Sequence, residues 1–155
     1  MSSKTSSKNS STQMSKYLAG VVSDTYLLMI KTHGYHWNVT GSSFPQLHAF
    51  FETQYTELFT AVDEIAERIR ALGQFAPAST AAFQNNTAIK EAGDQPPSAA
   101  AMIKDLIKTH EQVRSRILEA EEFADEIDDT ATQDLMNARL AAHDKTIWML
   151  RSTGA

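Results

Sequence analysis

The sequence has no cysteine. That excludes disulfide frameworks, thiolate zinc sites and thiol catalysis, and it agrees with a reducing compartment. Any metal must be held by nitrogen and oxygen ligands. No apolar run approaches the roughly 20 residues that cross a bilayer. The opening stretch MSSKTSSKNSSTQ lacks the hydrophobic centre of a secretory signal. The expectation is a cytoplasmic protein with no membrane partner. Positive charge is scarce: 14 Lys and Arg stand against 19 Asp and Glu, for a formal charge of -5. A broad nucleic-acid-binding face needs clustered Lys and Arg, so any DNA contact is confined to a local segment.

What is present is helical periodicity. Residues 1–13 are Ser-rich, with Lys4 and Lys8 the only charged side chains, and read as a disordered tail. From about Lys16 to Val39 the residues Leu18, Val22 and Met29 recur at helical spacing, with Val21 and Leu28 beside them. A cluster of turn formers at 38–43 ends that segment. A second helix is predicted from about Pro45 to Leu72, its stripe including Leu47, Phe51, Leu58, Val62, Ile65 and Ile69, with Gly73 as stop signal. Residues 74–97 break the pattern, with room for a short helix at Thr80–Asn85. Ser98 is a candidate N-cap for a third long helix bearing Ile103, Leu106, Ile107, Val113 and Ile117. A fourth, with Met136, Leu140, Ile147 and Leu150, follows the acidic turn at Asp128-Asp129. No strand pattern occurs. The fold class is all-α: two helical hairpins joined by one long crossover carrying the short helix, which is the ferritin-like four-helix bundle, over residues 14–152.

The informative stretch is KTHGYHWNVTGSSFPQLHAFFETQYTELFTAVDEIAERIRALG, residues 31–73. It holds His36, His48, Glu52, Asp63 and Glu67, and imidazole with carboxylate suits iron, manganese or zinc. At 100° per residue, His48, Glu52, Asp63 and Glu67 fall within about a 100° sector of one helix. Along the axis, however, Asp63 lies about 22 Å and Glu67 about 28 Å from His48. One chain cannot unite them. Two copies of this helix packed antiparallel about a two-fold axis near residues 56–58 can, and would build two identical sites. His36, just before the turn, can swing in beside His48. The competing interpretation is a solvated face on which Asp63, Glu64, Glu67, Arg68 and Arg70 form ordinary surface ion pairs. A site inside the bundle core would show Glu-x-x-His pairs, and none of the five histidines has Glu three residues before it.

HWNVTG, LHAFFE and DEIAERIRALG together resemble the signature of the Dps family, a group of mini-ferritins. His48 follows His36 by twelve residues and Asp63 follows His48 by fifteen. A late DKTIWM segment (Asp144–Met149) is similar to the family's last helix, so the resemblance covers roughly residues 16–150. It implies a hollow twelve-subunit shell with ferroxidase sites at two-fold interfaces. There Fe(II) is oxidised, typically by hydrogen peroxide, at a di-iron site, and ferric mineral is stored inside. Carried over, His36, His48 and Glu52 come from one subunit and Asp63 and Glu67 from its neighbour. Glu52 stands where the family often has Asp, which keeps the carboxylate and lengthens it. Zinc or manganese are substitutes for iron in such a ligand set. Trp37 is implied to lie close to the site, with an interface anchor as the alternative.

The remaining candidates are read more plainly. His33 pairs with His36 on one helix face, as an extra ligand or as an exposed or hydrogen-bonded histidine. His110 and His143 fall on apolar stripes, as hydrogen-bonded core or interface histidines. Asp125, Asp128, Asp129 and Asp134 flank the turn into the last helix. They are either a solvated turn or, by the resemblance, the lining of acidic iron-entry pores, with Asp125, Asp129 and Asp134 as the lining positions. Lys4 and Lys8 are the candidate DNA contacts, multiplied by copy number in a shell, although twelve copies at -5 each carry about -60. Three functions remain open: a ferroxidase and iron store, a nucleoid-associated DNA-compacting protein, and a structural bundle.

Overall fold

Steps of three and four residues between apolar side chains build each long helix and turn one stripe inward. The computed structural model describes the backbone of residues 2–153 and the side chains of residues 9–153. Five helices follow in order: α1 (Ser2–Asn38), α2 (Phe44–Ala71), α3 (Thr80–Asn86), α4 (Ala99–Glu126) and α5 (Thr130–Arg151). Among the described residues there is no strand. α2 buries Leu47, Phe51, Leu58, Ala61, Ile65 and Ile69. Pro45 sits in its first turn, where a missing N–H costs nothing. Gly73, at φ +84°, stops the helix, and the Gln74 N–H donates back to the Ile69 carbonyl at 3.2 Å. Ser98 caps α4 as expected, its hydroxyl accepting from the Ala101 N–H.

One boundary differs from expectation. α1 does not begin near Lys16 but runs on through the Ser-rich segment to Ser2. Extending an existing helix costs far less than nucleating one. Near its start Met14 is buried in the core, and Gln74 donates to the Thr12 hydroxyl at 3.4 Å. The side chains of Lys4 and Lys8 lie outside the described residues.

Cross-helix pairs fix the topology. His36 meets His48, so α1 and α2 form one hairpin; His110 meets His143 and Arg114 meets Asp144, so α4 and α5 form the other. Lys31 pairs with Asp105, Asp24 with Arg116, and Tyr17 stacks on Phe123, which sets α1 antiparallel to α4. Arg68 reaches Asp129 and Thr132 while Glu57 reaches Arg139, which sets α2 antiparallel to α5. The crossover between the hairpins is anchored midway by Asp24. This buried carboxylate accepts from the Thr87 hydroxyl (2.7 Å), the Ala88 N–H (2.8 Å) and Arg116 (3.0 Å). On α3, Phe83 stacks on Tyr26. The result is the one-crossover, ferritin-like bundle.

Candidate metal centre

His36 closes α1 and His48 sits in the second turn of α2, across the tight connection of the first hairpin. They lock each other. Nδ1 of His36 lies 2.8 Å from the backbone carbonyl of His48, and Nδ1 of His48 lies 2.8 Å from the carbonyl of His36. The rings stack with centroids 3.8 Å apart. A carbonyl can only accept, so each neutral ring carries its proton on Nδ1 and leaves a bare lone pair on Nε2. That is the ligand form of imidazole, held in place by a second hydrogen bond on the opposite nitrogen.

The carboxylates are arranged differently. Glu52, one turn beyond His48, is exposed, as are Asp63 and Glu67 further along α2. α2 is one uninterrupted helix, so the axial separations of about 22 and 28 Å stand. Among the described residues no three metal-ligating side chains come together. The chain thus unites His36 with His48, and leaves Asp63 and Glu67 on the same helix far from them.

The surface ion-pair interpretation fails on the partners. Arg68 turns inward to Asp129 and Thr132, and Arg70 packs over the Phe75 ring and donates to the Gln74 carbonyl. Among the described residues none of the ion pairs involves Glu52, Asp63, Glu64 or Glu67. The exposed α2 face therefore carries unpaired carboxylates, and Phe59, 65% exposed, sits among them. Ile30 and Trp37 of α1 and Phe44 of α2 are also exposed large apolar side chains.

Around the histidines lies a chain of rings. Tyr55 meets His36 edge-on (5.2 Å) and stacks on His33 (4.2 Å), and His33 in turn packs on Trp37 (4.0 Å). Trp37, 64% exposed, approaches the centre through His33 and Tyr55. His33 is thus a packing partner in this stack. Tyr55 was missed by the sequence reasoning; its only signal is that it lies seven residues after His48, two turns along the same side of α2.

The acidic turn divides. Asp129 caps α5, accepting from the Thr132 N–H and hydroxyl, and pairs with Arg68 at 2.6 Å. It is engaged in the fold, because a carboxylate at a helix start satisfies free N–H groups. Asp128 occupies the left-handed region (φ 58°) that makes the turn. Asp125 and Asp134 are exposed, Asp125 accepting from Gln133 at 3.1 Å. His110 and His143 are buried and hydrogen-bonded to one another, as expected of core histidines.

No helix among the described residues is long and apolar enough to cross a membrane. The ferritin-like domain family model matches residues 15–153. A DNA protection during starvation protein from Brevibacillus brevis is 37% identical over 132 residues, 84% of this chain and 87% of that relative. A second such protein, from Bacillus anthracis, is 35% identical over 90% of this chain and 95% of its own. The crystal structure of a Dps protein from Bacillus brevis superposes with a TM-score of 0.90 at 33% identity, covering 95% of this chain and 98% of that one. The Dps protein of Vibrio cholerae O1, described as a member of a broad superfamily of ferritin-like diiron-carboxylate proteins, superposes at 0.91 with 28% identity, covering 96% of this chain and 92% of that one. With a family model spanning nearly the whole bundle and relatives of this similarity, the chain belongs to the ferritin-like family and, within it, to the Dps proteins.

Proposed function

We propose that the protein oxidises Fe(II) at ferroxidase centres shared between two subunits and stores the ferric product inside a closed shell, most simply of twelve chains. His36, His48 and Glu52 of one subunit and Asp63 and Glu67 of a second copy form each centre, with iron as substrate and a di-iron occupancy. The observation that carries this is the pairing of two opposites. His36 and His48 are locked with bare Nε2 atoms, while Asp63 and Glu67 of the same helix lack cationic partners and lie too far away to meet them within one chain. Antiparallel packing of two α2 faces near residues 56–58 supplies what each lacks, and the exposed Phe59 lies beside that axis. Burying it against a copy would contribute roughly 1.5–3 kcal/mol per ring.

Two Fe(II) ions, one hydrogen peroxide and two waters give two ferric oxyhydroxide units and four protons, so each iron loses one electron and peroxide gains two. Asp125 and Asp134 are the pore-lining carboxylates of this proposal, concentrating Fe(II) at an entrance. Relatives are named for DNA protection. Removing Fe(II) and peroxide together would protect DNA without contact, and weak, non-specific DNA binding through Lys4 and Lys8 is a separable addition. The assembly acts in the cytoplasm. Anaerobic Fe(II) titration with peroxide tests the central claim: two Fe(II) consumed per peroxide, with a rapid phase saturating at a fixed number of irons per subunit. Oxidation no faster than that of free Fe(II) in the same buffer would refute it.

A further inference from the structure

The bundle interior carries a polar layer that the metal centre does not use. His110 of α4 and His143 of α5 are 2% and 1% exposed, with their Nδ1 atoms 2.9 Å apart, and Gln54 of α2 is 5% exposed. Arg139, one turn before His143, pairs with Glu57 of α2. Both imidazole Nε2 atoms, both amide atoms of Gln54 and Nε of Arg139 are buried without a hydrogen-bond partner. Among the described residues no other buried side-chain nitrogen or oxygen is in that position. Their heights agree. Glu57 stands opposite Arg139 on antiparallel helices, so Gln54, three residues back, comes level with residue 142, beside His143.

Isolated orphans in a core are rare, because each forfeits its hydrogen bonds to water. Five in one layer ask for a common explanation. Burial and the nearby Arg139 charge push His110 down to about 3, and burial, His110 and the Arg139 and Arg114 charges lower His143 well below its ordinary value, so both rings are neutral. A hydrogen bond between two neutral Nδ1 atoms forces complementary tautomers. The ring that donates through Nδ1–H has a bare Nε2 acceptor; the other has an Nε2–H donor. The pair thus offers the interior one donor and one acceptor, and Gln54 adds a carbonyl acceptor and amide donors. This set matches a small neutral molecule that both donates and accepts. A cation is disfavoured: a guanidinium is adjacent, only one imidazole lone pair is open, and the carboxylate at this height, Glu57, is already paired with Arg139.

We propose that this layer is an internal hydration site, in which ordered water bridges Gln54 to the His110–His143 pair in every subunit. A domain of this size holds several such waters, about one per 27 residues, each making about three hydrogen bonds. Bundles also build metal sites between facing helices at such depth, so the two guests must be told apart. The test is a crystal structure of the full-length assembly at a resolution that shows ordered water, from metal-free crystals and from crystals soaked in Zn(II) with data at the zinc edge. The expected result is one peak within hydrogen-bonding distance of at least two of the His110 Nε2, His143 Nε2 and Gln54 amide atoms, without anomalous signal in either crystal. An anomalous peak in the layer would overturn the assignment, as would a dry layer with Gln54 turned directly onto the imidazoles. In a folded Gln54→Leu assembly the peak should vanish or move and the thermal midpoint fall; an unchanged peak would also overturn it. Should that variant not assemble, the wild-type crystals decide alone.

Discussion

His36→Ala and Asp63→Ala test the shared centre through the geometry of α2. Each removes one side chain of the proposed five-residue site; His36→Ala also loses the ring contacts with His48 and Tyr55, so the fold of each variant is checked by circular dichroism before the assay. The His48 Nδ1–H still donates to the backbone carbonyl of residue 36, and Asp63 is exposed without an ion pair. Loss of an outer partner of a metal ligand typically costs 10–100-fold, so loss of a ligand should reduce rapid Fe(II) oxidation by at least roughly 10-fold. The two inactive proteins should then rescue each other. In a dimer with one chain of each kind, one site takes His36 from the Asp63→Ala chain and Asp63 from the His36→Ala chain, and is complete. The other site lacks both. Random mixing makes half the dimers mixed, each with one complete site of two, so activity should return to about a quarter of wild type for independent sites. The assay is stopped-flow Fe(II) oxidation with peroxide after co-refolding, with chains of different mass to verify exchange by native mass spectrometry. If all ligands belonged to one chain, every site would still lack one. No recovery in a verified mixture would refute the shared centre.

Light scattering should show a closed assembly of about 205 kDa, twelve chains of 17.1 kDa, and Phe59→Lys should shift it towards smaller species; a wild-type monomer would defeat the shared site. Asp24→Ala removes the acceptor for Thr87, Ala88 and Arg116, so calorimetry should find it less stable by about 3 kcal/mol, with crossover amides exchanging fastest. Acid should destabilise the bundle through its buried histidines. The unfolded chain takes up a proton below about pH 6.5 that folded His110 refuses until about 3, so stability falls across that window by about 1.4 kcal/mol per pH unit for one such group. His110→Leu/His143→Leu should flatten the fall, and an unaltered pH profile of urea midpoints would contradict the argument. Deleting residues 1–13 should leave oxidation intact while removing salt-sensitive DNA retention in gel shifts; retention unchanged by the deletion would exclude Lys4 and Lys8 as the contacts.

How far these residues were legible depended on the range of the interactions that place them. Periodicity is local, and so Leu47, Phe51, Leu58, Ile65 and Ile69 marked the inner stripe of α2 correctly, and Ser98 and Gly73 marked helix ends through single-residue conformational preferences. The extent of α1 was not local information. Ser and Thr are neutral in a helix interior, and what carries the helix back to Ser2 is propagation from the packed part beyond Met14. Tertiary partners were less legible still. Asp24 carries no local signal in the sequence, and only the fold brings Thr87, Ala88 and Arg116 to it.

The acidic turn and the α2 face present the same problem with opposite outcomes. Asp129 and Asp63 are both carboxylates near a helical arginine, and composition cannot separate them. Helix position does. Asp129 precedes the first turn of α5, where free N–H groups and Arg68 claim it. Asp63 lies mid-helix on the outward side, exposed and outside every ion pair among the described residues, while Arg68 points inward. A carboxylate engaged by its own fold is unavailable to a metal, whereas one without a cation on an exposed apolar-flanked face is available at low desolvation cost once a second copy covers it. The sequence spacing 48–52–63–67 could name a face, but whether Glu64 and Glu67 were paired along the helix was decided by where Arg68 and Arg70 went.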